Sequence, residues 1–145
     1  MTQKTFSPKP QAKSERKWYL IDATDKIVGR LAPHIANLLR GKTKVTFSHH
    51  LDMGDYVIVV NADKVRLTGQ KEEQKEYIHH TGYVGHLRRE SYKQVKQVKP
   101  TLILGKSVAG MIPRNKLKKF ILQKLYIYAG AEHPHTGQNP ITFNV

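Results

Sequence analysis

The apolar positions of this chain fall into two periods. Trp18-Tyr19-Leu20-Ile21-Asp22-Ala23 is an aromatic and β-branched run after a polar leader, too short for a helix, and predicts a first strand. From Gly29 to Arg40 the residues Leu31, Ile35, Leu38 and Leu39 recur at i, i+4, i+7 and i+8, one face of a helix, and Gly41 stands where a left-handed cap belongs. Pro33 is expected to fit near the helix start, where the first N–H groups lack intrahelical acceptors. Tyr56-Val57-Ile58-Val59-Val60 is a continuous run, the pattern of a strand covered on both faces. Strand, helix and buried strand together predict a βαβ start.

Further along, Lys64 to Thr68 alternates, and Glu76 to His80 is expected to answer it as a half-exposed hairpin or edge pair across a polar loop holding Gly69. Arg88 to Lys99 is polar and helix-compatible. Pro100 is placed to open a helix covering Leu102 to Val108, which should end near Gly110 and Pro113. Arg114 to Leu125 sets Leu117, Phe120, Ile121 and Leu125 on one stripe with Lys116, Lys119 and Gln123 opposite, a helix that packs on a sheet and turns lysines outward. Tyr126-Ile127-Tyr128 reads as a short strand, and beyond Gly130 the chain reads as extended coil. There is no internal repeat. The expected organisation is a basic extension over 1–17, one α/β domain over 18–130 and an extended segment over 131–145.

Charge narrows the partner. The 145 residues carry 25 Lys+Arg against 11 Asp+Glu, a formal +14. Residues 18–60 hold only +1 and 61–80 are neutral, whereas 1–17 hold +4, 81–100 hold +4 and 101–145 hold +5. A near-neutral core flanked by basic segments is what a compact fold needs if it sits against a polyanion and sends arms along it. Eight His add a titratable reserve, so binding to an anionic partner should tighten as pH falls. The absence of Cys excludes disulfides, thiolate metal sites and thiol nucleophiles, in keeping with a reducing compartment. No apolar run is long enough to span a membrane, and Met1 to Lys17 lacks the apolar stretch of a secretory signal.

Several local motifs fail when tested against their context. Gly41-Lys42-Thr43 has the ending of a phosphate-binding P-loop, but Ala36 stands where its first glycine belongs and the motif closes a helix instead of opening one. Gly82-Tyr83-Val84-Gly85 has the form of a backbone-clamping GxxG loop, but a strand-like stretch precedes it, so no KH fold is inferred. His49-His50, His79-His80 and His133-Pro134-His135 would need several segments to converge on a metal, and no metal or cofactor is expected. Asp22, Asp25, Asp52, Asp55 and Asp63 are the acids that could hold Mg²⁺; a nucleic-acid enzyme using Asp22, Asp52 or Asp55 is one alternative, and a DNA-binding accessory protein another.

A longer set of blocks carries a family resemblance. Trp18-Tyr19 with Asp22-Ala23, Gly29-Arg30-Leu31-Ala32, Gly54 through Val65, His80-Thr81-Gly82-Tyr83, Gly110-Met111-Ile112-Pro113, Leu125 through Gly130 and Glu132-His133-Pro134-His135 occur in order from residue 18 to about residue 140. In these blocks the chain resembles the bacterial form of the large-subunit ribosomal protein L13 family. The resemblance implies a three-layer α/β/α fold around a small, mostly parallel sheet, with no catalytic activity. It also implies binding to large-subunit (23S-type) rRNA in support of subunit assembly and translation.

Carried onto this sequence, the family's RNA-facing parts are the extension (Lys4, Lys9, Lys13, Arg16, Lys17), the helix end and loop after it (Arg40, Lys42, Lys44, His49, His50) and the Gly-Tyr-Gly loop (Tyr83, His86, Arg88, Arg89). The fourth is the Met-Ile-Pro region with its neighbouring helices (Lys106, Arg114, Lys116, Lys118, Lys119, Lys124). The chain departs from the family pattern at His86, where a second glycine is common, and at Lys118, where a small residue is usual. The expected partners are large-subunit rRNA and neighbouring large-subunit proteins, with no membrane, no small-molecule substrate and no homo-oligomer. The expected place is the cytoplasmic ribosome, an organellar one being left open.

Overall fold

The computed structural model describes residues 8–9 and 15–144; Lys4 and Lys13 lie outside them. In chain order the elements are β1 (Trp18–Asp22), α1 (Val28–Arg40), β2 (Tyr56–Val60), α2 (Lys71–Gln74), β3 (Glu76–His80), β4 (Leu87–Ser91), α3 (Tyr92–Val98), α4 (Pro100–Met111), α5 (Leu117–Leu122), β5 (Leu125–Ile127) and β6 (Ile141–Thr142). Four strands form one parallel sheet in the order β5-β2-β1-β6, and β3 and β4 form a separate antiparallel ribbon. The protein is therefore α/β with a small, mostly parallel central sheet.

Register decides what each face buries. Trp18 pairs with Tyr56 and Ile21 with Val59, so alternate residues of β1 and β2 share a face. Ile21, Val57 and Val59 point into one core with Leu31, Ile35 and Leu39 of α1 and Ile103, Leu104 and Val108 of α4. The other face carries Ile58, fully buried, beneath an aromatic layer. There Trp18 stacks on Tyr56 with centroids 4.3 Å apart and on Tyr126 at 5.7 Å, and His135 tilts against Trp18 at 5.3 Å. Helices thus cover one side. The crossing from β5 to β6, with a single 3-10 turn at Thr136–Gln138, forms a thin third layer on the other.

The segment after Gly130, expected as coil, ends as β6 beside β1, with Tyr19 opposite Ile141. Glu76–His80 does not pair with Lys64–Thr68. Its partner is Leu87–Ser91, through a turn in which Gly82 and Gly85 take φ of +97° and +76°. The helix expected from Arg88 consequently starts at Tyr92, where Ser91 and Gln94 form a reciprocal capping box. Pro33 sits at the sixth helical position, not in the first turn, and so leaves the Gly29 carbonyl without its i+4 donor.

Close approach of backbones fixes the end of α1. Gly41 caps it at φ +73°, and a Cβ there would lie 2.4 Å from the Met53 carbonyl oxygen. A Cβ on Gly54 would lie 1.6 Å from the Leu39 carbonyl oxygen. The chain entering β2 is thereby pressed against the C-terminal turn of α1, which places Asp52 and Asp55 at the edge of the sheet where β1, β2 and β5 all begin.

Candidate nucleic-acid interface

The sequence places cations on four segments, and the structure sorts them into exposed and internally committed groups. Lys9, Lys17, Lys42, His49 and His50 are exposed. Arg40 is half-buried with its guanidinium 5.8 Å from the Phe47 ring centroid, so the loop after α1 folds back on its own helix end. On the β3–β4 ribbon, Tyr83 is 74% exposed, with His86, Arg88 and Arg89 also in solvent. The Gly82 N–H donates to His80 Nδ1 at 2.9 Å, which holds the turn and leaves the Tyr83 ring outward. Lys106, Arg114, Lys116 and Lys119 are exposed and Lys118 is half-buried; Lys106 Nζ also lies 5.0 Å from the Tyr77 ring centroid. Exposed guanidinium and ammonium groups on loops and on a ribbon tip suit phosphate contacts, and an outward tyrosine suits stacking on an unpaired base.

Three expected RNA-facing cations are placed otherwise. Lys124 is 3% exposed, its Nζ donating to Asp52 Oδ1 at 2.5 Å and to the Leu39 carbonyl at 3.0 Å. Burial pushes its ammonium below the ordinary lysine pKa, with the Asp52 carboxylate pulling it back up. Lys44 Nζ donates to Asp55 Oδ1 at 2.6 Å and to the Met53 carbonyl at 3.0 Å. Arg16 has 13% of its side chain exposed and pairs with Asp52, Nη1 to Oδ2, at 3.2 Å. The physical reason is shared: each lies where a segment enters or leaves the sheet edge, within reach of a carboxylate that is itself sequestered, Asp55 at 1% exposure.

A signal for Lys124 was available. It stands three residues after Ile121 and seven after Leu117, on the apolar stripe of that stretch, while Phe120 is 56% exposed. The role of Asp52 and Asp55 as acceptors for three basic segments carries no local sequence mark beyond their place just ahead of the central strand.

The Mg²⁺-carboxylate alternative fails on geometry. Asp22 lies at the opposite end of β1, roughly 13 Å away at about 3.3 Å per residue, and accepts from Asn61 Nδ2 at 2.8 Å and Thr24 Oγ1 at 2.7 Å. Those hydrogen bonds hold the Asp22 carboxyl below its ordinary pKa. Asp52 and Asp55 are each taken up by a lysine. Among the described residues no group of three or more His, Asp or Glu is arranged to hold a metal, and no helix is long and apolar enough to cross a membrane.

Comparison with known proteins gives the family of the chain. The chain is 53% identical over 142 residues to the large ribosomal subunit protein uL13 of Beutenbergia cavernae, covering 98% of this chain and 96% of that one, and equally so to that of Micrococcus luteus. The protein of the same name from Rubrobacter xylanophilus is 52% identical over 142 residues, covering 98% and 99%. All three relatives bear the name of a large ribosomal subunit protein. The family model described as Ribosomal protein L13 matches residues 16–134, and the chain belongs to that family.

Proposed function

We propose that this chain is a structural constituent of the large ribosomal subunit, in the cytoplasmic ribosome, that binds large-subunit rRNA and supports subunit assembly and translation. The observation that carries the reading is the separation of charge: residues 18–80 hold a net +1, and the cations outside that stretch are mostly exposed on loops, a ribbon and helix ends. Within the α/β unit over 18–130, the near-neutral stretch over 18–80 acts as a spacer. The chain's basic segments neutralise phosphates from more than one rRNA segment and draw together helices that otherwise repel. Lys9 and Lys17 act from the extension, Lys42, His49 and His50 from the loop after α1, Tyr83, His86, Arg88 and Arg89 from the ribbon, and Lys106, Arg114, Lys116, Lys118 and Lys119 from the α4–α5 region. Neighbouring large-subunit proteins then pack on what the RNA leaves uncovered.

Binding by counterion release is steep in salt. A protein neutralising about 6–10 phosphates loses about 10³–10⁵ in affinity between 50 and 200 mM salt. Filter binding of the full chain to in vitro transcribed large-subunit rRNA across that range tests the reading, and a flat response refutes it.

A further inference from the structure

Three of the four basic segments are rooted on two carboxylates. Arg16, at the inner end of the extension, donates to the Asp52 carbonyl at 3.2 Å and pairs with its carboxylate, and the Lys17 N–H donates to Asp55 Oδ1 at 3.0 Å. Lys44, in the loop after α1, reaches the same Asp55 oxygen. Lys124, which closes the stretch after α5, reaches Asp52 Oδ1. The Gly54 N–H also donates to Asp52 Oδ1, at 3.3 Å, so the acceptor sits on a backbone already held against α1.

From this convergence we propose that Asp52 and Asp55 are positioning residues for rRNA binding: they hold the roots of the extension, the loop after α1 and the α5 segment in one arrangement, so that the three basic segments meet the RNA together. The proposal rests on the rRNA reading above. It makes a prediction opposite in sign to plain electrostatics. Replacing an aspartate by asparagine raises the net charge by one, which by itself tightens binding to a polyanion. Loosening a joint that fixes three segments instead leaves some phosphates without a cation. Each phosphate that is no longer neutralised lowers the magnitude of the salt slope by about 1, and at 0.1 M salt removes about tenfold in affinity.

The test compares Asp52→Asn with Asp63→Asn, an exposed acid on the 3-10 turn after β2 that makes the same charge change away from the joint. Asparagine at 52 keeps an amide oxygen for Lys124 but no charge to hold Arg16. Both variants and the unaltered chain are measured by filter binding to transcribed large-subunit rRNA over 50–200 mM salt. Asp63→Asn should bind as tightly as the unaltered chain or tighter. Asp52→Asn should bind about tenfold more weakly at 0.1 M with a slope lower by about 1 or more, and the amides around Arg16 and Lys124, the two roots held by Asp52, should exchange faster while those of β2 keep their protection.

Equal binding by the two variants overturns the proposal while leaving the rRNA reading intact. Failure of the unaltered chain to bind overturns the reading itself. Should Asp52→Asn fail to fold, Asp52→Leu with Lys124→Met removes the Asp52–Lys124 half of the joint at constant net charge and fills the same space with apolar groups. Weakened binding there supports the proposal, and unchanged affinity and slope refute it.

Discussion

The pair Asp52–Lys124 should respond very unequally to removal of one partner or the other. Lys124 has its ammonium on Asp52 and on the Leu39 carbonyl, and nearly all of its surface is out of water. Truncating Asp52 to Ala leaves that ammonium buried against a single neutral carbonyl. Loss of one partner of a buried pair costs about 3–5 kcal/mol. Removing Lys124 is different, because Asp52 keeps the Arg16 guanidinium at 3.2 Å and the Gly54 N–H at 3.3 Å. Lys124→Met also relieves the desolvation that pushes the ammonium's pKa down. What remains is the Leu39 carbonyl without its donor, a loss of about 1–2 kcal/mol.

For a chain of this length an unfolding entropy near 2.1 cal/mol/K per residue converts 1 kcal/mol into about 3 °C. Asp52→Ala should therefore melt about 10–15 °C lower and Lys124→Met about 3–6 °C lower. Calorimetry or melting followed by circular dichroism reads both. Amine-labelling with mass spectrometry supplies the second check, since Lys124 should modify far more slowly than Lys116 and Lys119. Equal destabilisation by the two variants refutes the assignment of Arg16 as the second cation on Asp52, and fast labelling of Lys124 refutes its burial.

Three other outcomes follow from the same geometry. Gly54→Ala, whose Cβ would meet the Leu39 carbonyl oxygen at 1.6 Å, should cost at least about 3 kcal/mol, whereas Gly110→Ala, with nothing within 4 Å of the added carbon, should leave the melting temperature within about 3 °C. Tyr92 is 2% exposed, and its hydroxyl is buried without a hydrogen-bond partner among the described residues. Tyr92→Phe should be neutral or stabilising by up to about 1 kcal/mol. Burial raises the pKa of Tyr19, Tyr77 and Tyr92 above the ordinary 10.0, so the folded state disfavours their ionised forms. Stability is then whole below pH 10 and falls as pH rises beyond it, less steeply in Tyr92→Phe, as urea titrations at several pH values will read. Arg88→Ala with Arg89→Ala should weaken rRNA binding and lower the salt slope by about 2 while changing stability by no more than about 0.5 kcal/mol, because the Arg89–Glu76 contact at 3.9 Å lies between half-exposed side chains.

The sequence made some of this visible and hid the rest for identifiable reasons. Tyr56–Val60 read as a buried strand because period and composition agreed over its whole length, and α1 read as a helix because Leu31, Ile35, Leu38 and Leu39 all turn inward. The ribbon was misread because Leu87 to Ser91 is nearly all exposed, so no hydrophobic period marks it. Its strand character comes from pairing across the Gly82–Gly85 turn, a partner that propensity cannot name. Arg88 came with the family resemblance, and Lys116 also from its place opposite the apolar stripe of its helix. The apolar stripe of Leu117 and Ile121 marks Lys124 as inward, but its partner, an acid 72 positions earlier in the chain, has no local mark.

The location of that ionic joint has a physical logic of its own. A parallel sheet with α1 lying antiparallel to its strands brings the helix's C-terminal turn to the edge where the strands begin. The last carbonyls of a helix have no intrahelical donors and carry the negative end of its dipole, so a cation is favoured there. Lys124 on the Leu39 carbonyl and the Lys42 N–H on the Asn37 carbonyl at 2.9 Å both answer that need. The joint therefore gives positive segments an attachment point that a helix N-terminus could not offer. Asp52 and Asp55 add the charge that keeps buried cations paired, and the remaining positive groups on each segment stay in solvent. A basic protein of this design must hold some of its cations inward in order to aim the others.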